Sequence, residues 1–127
     1  METKKTIYEL HDDHKIWLNK LAFYKDEISI MQNRIAEIAE KNSSKEVRSF
    51  VEHFQNQLIV QKEQIDILNH DIKSHESFLE SAVKKNRSGV DKEKFENHPV
   101  HKKNVEKFEK IFNDLRKELI DFLSKWM

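Results

Sequence analysis

The sequence predicts an all-α protein, an elongated up-down-up antiparallel bundle of three helices with heptad seams like those of coiled coils. The chain has 127 residues but one Gly and one Pro, so long helices can run without interruption. Hydrophobic residues make up 37% of the chain and charged residues 36%, a balance typical of helices that each bury one stripe. Apolar residues alternate at intervals of three and four along three stretches, which indicates a single bundle domain over residues 1–127.

Helix 1 is expected over about residues 6–42. A capping box of Thr6 and Glu9 marks its start, because each of the two side chains can bond the other residue's backbone N–H. Asn42 suits its end, since Asn tolerates the left-handed backbone conformation that follows many helices. The predicted seam of helix 1 comprises Ile7, Leu10, His14, Trp17, Leu21, Tyr24, Ile28, Met31, Ile35 and Ile38.

Helix 2 is expected over about residues 44–87. A second capping box, from Ser43 to Glu46, precedes it, and the short turn predicts that helices 1 and 2 are antiparallel neighbours. Gly89 suits the position that follows a helix. The predicted seam comprises Val47, Val51, Phe54, Leu58, Gln61, Ile65, Leu68, Ile72, His75, Leu79 and Ala82.

Helix 3 is expected over about residues 99–126, after a connection formed by residues 88–98. Asp91 could cap a brief helical turn within this connection. Pro99 suits the first position of the helix, with Asn97 or His98 as its cap. The predicted seam comprises His101, Val105, Phe108, Phe112, Leu115, Leu119, Phe122 and Trp126.

Three histidines, His14, His75 and His101, occupy seam positions where Leu or Ile is usual. Antiparallel packing about a short turn brings His14 and His75 within about 3 Å of the same height along the bundle. The height of His101 depends on the longer connection. We expect His101 to lie roughly 9 Å from the level of His75 along the bundle axis, nearer to the level of His70.

The wider histidine group predicts a metal site at one end of the bundle. His11 and His98 lie three residues before His14 and His101, so each His-x-x-His pair shares a helix face. Imidazole suits Zn, Cu, Fe and Ni, and zinc is the expected ion. Candidate acceptors that would fix the imidazole tautomers are Asp71, Asp12, Asp13, Glu9 and Glu96. The candidate ligands are His14, His75, His101, His11, His98 and His70.

Two other interpretations of the histidine group stay open. The histidines can form a buried polar layer that fixes the register of the helices, or they can be exposed at a wet bundle end. Both His-x-x-His pairs lie near helix N-termini, where the macrodipole disfavours cations, and His98 could be used as a cap.

Other functional classes lack their motifs. No cysteine is present, which excludes disulfides and thiolate metal sites. Lys+Arg and Asp+Glu both number 23, so nucleic acid and membrane surfaces are not expected partners. There is no apolar run of membrane-spanning length, and the N-terminal residues do not resemble a signal peptide, so a cytoplasmic location is expected.

The expected function is that of a small soluble interaction or scaffold protein without a catalytic signature. A protein partner or self-association is expected, because a thin bundle leaves flanking apolar residues partly uncovered. The alternative is a metal-binding bundle, similar in principle but not in motif to hemerythrin-like proteins, whose His-x-x-x-Glu pairing is absent here. The Glu-x-x-His motif of ferritin-like bundles is absent too. The flanking apolar residues are Leu18, Phe23, Ile30, Ile59 and Phe78.

Overall fold

Three long helices account for nearly all of the structure. The computed structural model describes the backbone of residues 7–85 and 92–127 and most of their side chains. The helices are α1 (Ile7–Lys41), α2 (Lys45–Lys85) and α3 (Lys92–Trp126), and no strand occurs within these two ranges. Each helix packs against both of the others, which is consistent with a bundle. No helix in the described part of the chain is both long and apolar enough to cross a bilayer.

The turn between α1 and α2 is short, as predicted, but its capping differs by one residue. Ser44, not Ser43, caps α2: its Oγ accepts a hydrogen bond from the N–H of Val47 at 3.3 Å. Its carbonyl accepts the first helical bond, from Arg48. Glu46 therefore lies one position too early for the reciprocal half of a capping box.

The hydrogen bonds at the end of α1 also differ from the prediction. The side-chain amide of Asn42 donates to the carbonyl of Ile38 at 3.0 Å, and the Asn42 backbone N–H donates to the same carbonyl. No described non-glycine residue has a positive φ, so the expected left-handed conformation of Asn42 is wrong. The hydrogen bonds of Asn42 satisfy a terminal carbonyl without it. Thr6 lies outside the described residues.

The start of α3 is the largest departure from prediction. The helix begins at Lys92, so Pro99 lies inside it and does not begin it, and His98 is a helical residue and not a cap. Pro99 has no N–H to donate to the carbonyl of Phe95, which removes one helical bond. Its ring is exposed, so the ring displaces no core side chain. Gly89 and Asp91 lie outside the described residues.

The core consists of the seam residues that the sequence predicted. Nearly every predicted seam position is buried in α1, α2 and α3. The exceptions with described side chains are Val51, His101 and Trp126, which are partly buried. Gln61 is a buried polar residue within the α2 stripe.

Polar contacts show which parts of the helices lie beside each other. Towards α2, Lys25 pairs with Asp66 and the Gln32 carbonyl accepts from Gln55. The residue numbers of the α2 partners therefore decrease as the residue numbers along α1 increase. Towards α3 they rise instead: the Tyr24 hydroxyl donates to Glu109 and Arg116 donates to Glu27. Aromatic contacts between Phe54 and Phe122 join α2 to α3.

A candidate metal centre of buried histidines

Three histidines from three helices meet in the interior. They are His14 of α1, His75 of α2 and His98 of α3, which are 1%, 5% and 4% exposed. One potential ligand nitrogen from each lies within 4.8 Å of the others, so together they could hold a metal ion. We refer to these three residues as the histidine trio.

The third member of the trio differs from the seam pattern, which singled out His101. Because α3 starts at Lys92, His98 lies within the helix, one turn before His101 and on the same face. His101 is nevertheless close, with its ring centroid 5.0 Å from that of His75. The structure therefore brings four of the six candidate ligands, His14, His75, His98 and His101, to one region.

A chain of hydrogen bonds orients two members of the trio. Glu76 Oε1 lies 3.3 Å from His14 Nδ1, and a carboxylate accepts, so His14 Nδ1 donates. A neutral His14 then has its lone pair on Nε2, which accepts from His75 Nδ1 at 2.9 Å. The inner nitrogen of His14 thus has the lone pair that a metal ion requires.

His98 is oriented in the same way by a different carboxylate. Its Nε2 lies 2.9 Å from Asp13 Oδ2 and donates to it. A neutral His98 then has its lone pair on the buried Nδ1. The Trp17 ring stacks on the His98 ring with centroids 4.8 Å apart and an interplanar angle of 28°, which restrains its rotation. Of the predicted acceptors, Asp13 is therefore one that contacts a trio histidine.

Burial lowers the pKa of two of these histidines, His14 and His101. Desolvation lowers the pKa of His14 to about 4, with the neighbouring His75 and His98 contributing and Glu76 opposing. The pKa of His101 is also lowered, first by burial and then by His75 and His98, against the opposing charge of Asp71. Neutral imidazole is the form that binds metals.

His11 lies at the solvent-exposed edge of the site. Its Nδ1 hydrogen-bonds both oxygens of Glu76, at 2.7 and 2.9 Å, and this contact raises the pKa of His11. Glu76 therefore links an exposed histidine to the buried His14. The structure does not place His11 in the trio, and His70 is an exposed residue of α2 that is also outside it.

Glu76 is a residue of the candidate site that the sequence did not reveal. It follows His75 directly and lies off the seam, where an acidic residue is ordinary on a helical surface. The predicted register between α1 and α2 could have indicated Glu76. An antiparallel pairing that aligns His14 with His75 also brings the residue after His75 close to α1. Among the other proposed acceptors, Asp71 raises the pKa of His101 through its charge. The side chain of Glu96 lies outside the described part of the chain.

The sequence matches no known protein family, no curated protein and no solved structure. The geometry of the site is therefore the basis for the functional proposal.

Proposed function

We propose that this protein binds a divalent transition-metal ion through the histidine trio. The observation that carries the proposal is the convergence of His14, His75 and His98, buried and from three different helices, with ligand atoms within 4.8 Å of one another. Nitrogens bound to one tetrahedral zinc at about 2.0–2.1 Å lie about 3.3 Å apart. The facing nitrogens of His14 and His75, now 2.9 Å apart, would need to separate only slightly.

The donor set favours an ion that prefers nitrogen. Three neutral imidazoles suit Zn, Cu, Fe or Ni, whereas Mg²⁺ and Ca²⁺ select oxygen ligands. Zinc is the ion we propose. His75 would exchange its Nδ1 proton for one on Nε2, so that its nitrogen facing His14 becomes a ligand and the His75–His14 hydrogen bond is replaced by two metal bonds.

Two carboxylates offset the charge of the ion. Asp13 and Glu76 each accept a hydrogen bond from the outer nitrogen of a ligand histidine, the arrangement that fixes the imidazole and increases its basicity in metal sites. Their two negative charges equal the charge of a divalent ion. This matters because desolvation opposes a positive charge at His14, as its lowered pKa indicates.

The architecture we propose is an elongated up-down-up bundle with coiled-coil-like seams. The contacts of α1 run in opposite order along α2 and in the same order along α3, which supports it. In such a bundle the histidine trio lies at the end opposite the turn between α1 and α2. The ion would then connect all three helices at that end.

Isothermal titration calorimetry with ZnCl₂ tests the proposal on the full chain after treatment with a chelator. We expect one ion per chain and a higher melting temperature, since an ion at 100 times its Kd stabilises the folded state by about 2.7 kcal/mol. His98→Gln and His14→Gln should each weaken binding at least tenfold, whereas His70→Gln should not, because His70 is exposed outside the trio. Absence of both heat and stabilisation would eliminate the proposal.

Fluorescence of Trp17 gives a second, local measurement. Its ring stacks on His98, so Cu²⁺ bound by the trio should quench it strongly. Trp126, the other tryptophan, packs against the core near the end of α3 with Lys125 over its ring, and a Trp126→Phe variant isolates the Trp17 signal. Equal quenching in the Trp17→Phe and Trp126→Phe variants would show that copper binds elsewhere.

The second candidate function is that of an interaction or scaffold protein in the cytoplasm. It is favoured by apolar side chains on the surface: Phe23, Ile30 and Ile59 are about half exposed or more. Val60, Ile67 and Ile111 also line a groove between α2 and α3. Leu18 is partly buried against the core and supports this function less. Sedimentation velocity over a hundredfold concentration range that shows monomer alone would remove self-association.

A further inference from the structure

His101 lies beside the histidine trio, and among the residues that the structure describes no hydrogen bond joins it to a trio member. Its ring centroid is 5.0 Å from that of His75. His101 lies one turn after His98 on α3, so the two side chains project from the same helix face. A metal ion held by His98 is therefore within the region that a rotated His101 side chain can reach.

The Nδ1 atom of His101 is buried and has no hydrogen-bond partner among the described residues. A buried polar atom without a partner is unfavourable, and native proteins retain few of them unless a ligand, ion or water satisfies the atom. In a neutral imidazole one ring nitrogen is a donor and the other has a lone pair that can bind a metal ion. An apolar seam residue at this position would avoid the unsatisfied atom.

We propose that His101 is the fourth ligand of the metal ion, so that the site is a closed set of four histidines. This inference rests on the proposed function of the trio. His101 lies outside the group whose ligand atoms are within 4.8 Å, so binding requires its side chain to rotate towards the ion. Rotation satisfies the buried Nδ1 and completes the tetrahedral geometry that zinc prefers in structural sites.

A closed site differs in chemistry from a site with three histidines. Three ligands leave a position for water, which zinc can activate for hydrolysis, whereas four protein ligands leave none. The His98-x-x-His101 pair would attach α3 to the ion at two successive turns, on either side of Pro99. The ion would therefore stabilise the part of α3 where the proline removes a helical bond.

Cobalt substitution tests the fourth ligand on the wild-type chain. Tetrahedral Co²⁺ bound by four histidines should show visible absorption that azide leaves unchanged, because no exchangeable position is open. A three-histidine site with bound water should change its spectrum on azide addition, and that result would overturn the inference. X-ray absorption of the zinc form should show four nitrogen neighbours with imidazole scattering.

A matched pair of variants separates this inference from the proposed function. His101→Gln should weaken zinc binding at least tenfold and make the cobalt spectrum sensitive to azide, while His70→Gln changes neither. If His98→Gln abolishes binding but His101→Gln binds as the wild type does, the trio stands and the fourth ligand is refuted. If the wild type binds neither zinc nor cobalt, the proposed function itself fails. The azide experiment needs no variant, so a folding defect in His101→Gln cannot obscure the answer.

Discussion

The buried imidazole of His14 should make the stability of the metal-free protein depend on pH. Its pKa in the folded state is lowered to about 4 from 6.5, mainly by burial, with His75 and His98 contributing and Glu76 opposing. Between these two values the unfolded chain binds a proton that the folded protein does not. Stability therefore falls as the pH decreases through this window and is fully retained above about pH 7.5.

The size of the effect follows from the two pKa values. The stability lost at a given pH is RT times the logarithm of the ratio of the unfolded and folded binding polynomials. For His14 this gives about 2 kcal/mol between pH 7.5 and pH 5, and about 3 kcal/mol below pH 4. His101 acts in the same direction. His11 acts in the opposite direction, because its raised pKa adds stability that is present below pH 6.5 and lost as the pH rises through its folded value.

Urea denaturation followed by circular dichroism, with a chelator present, measures this dependence. The midpoint should fall by roughly 1 M urea between pH 7.5 and pH 5, given slopes of about 1–3 kcal/mol per M. His14→Gln should remove about 2 kcal/mol of the pH dependence, whereas His70→Gln, at an exposed position, should retain it. Stability that stays constant from pH 7.5 to pH 5 in the wild type, or equal slopes in the wild type and His14→Gln, would refute the reasoning.

Three further predictions concern the core, the turn and the edge of the site. Phe112→Ala should destabilise the protein by about 3–5 kcal/mol in urea denaturation, because the side chain is fully buried, and a loss below about 1 kcal/mol would contradict its place in the core. Ser44→Ala should cost about 0.5–2 kcal/mol while Ser43→Ala costs almost nothing, since only Ser44 caps α2, and the reverse order would place the cap at Ser43. Glu76→Gln should return the raised pKa of His11 towards its ordinary value, measured by NMR titration of the ring protons, and an unchanged His11 pKa would show that Glu76 is not its partner.

The buried stripes of the three helices could be predicted from the sequence because burial on a long helix leaves a periodic signature. Apolar residues recur at intervals of three and four along each helix. Leu21 in α1, Leu58 in α2 and Leu119 in α3 belong to these series, and all three are fully buried. The height match of His14 and His75 could also be predicted, because a short turn fixes the register of two antiparallel helices. The 2.9 Å hydrogen bond between their rings agrees with that expectation.

The remainder of the site depends on contacts that have no periodic signature. Pro99 favours a helix start, which predicts that His98 lies in a connection, yet α3 extends back to Lys92 and includes His98. Once that extra helix is present, His98 projects inward and meets Asp13 and Trp17. Such contacts join residues far apart in the chain, so no spacing within one segment can indicate them.

A polar layer and a metal site use the same histidines but differ in how their stability responds to zinc. In either case the metal-free cluster contains three buried polar rings. Replacing all three histidines with leucine removes the free-energy cost of burying these rings, and it also removes the hydrogen bond between them. Asp13 and Glu76 are partly exposed, so water can solvate them after the change. The variant His14→Leu/His75→Leu/His98→Leu should therefore be at least as stable as the wild type in the presence of a chelator.

With zinc present, the metal site predicts that the wild type alone gains stability, in proportion to the logarithm of the zinc concentration above Kd. The polar layer predicts that neither protein responds, so the comparison of two proteins in two buffers distinguishes the functions.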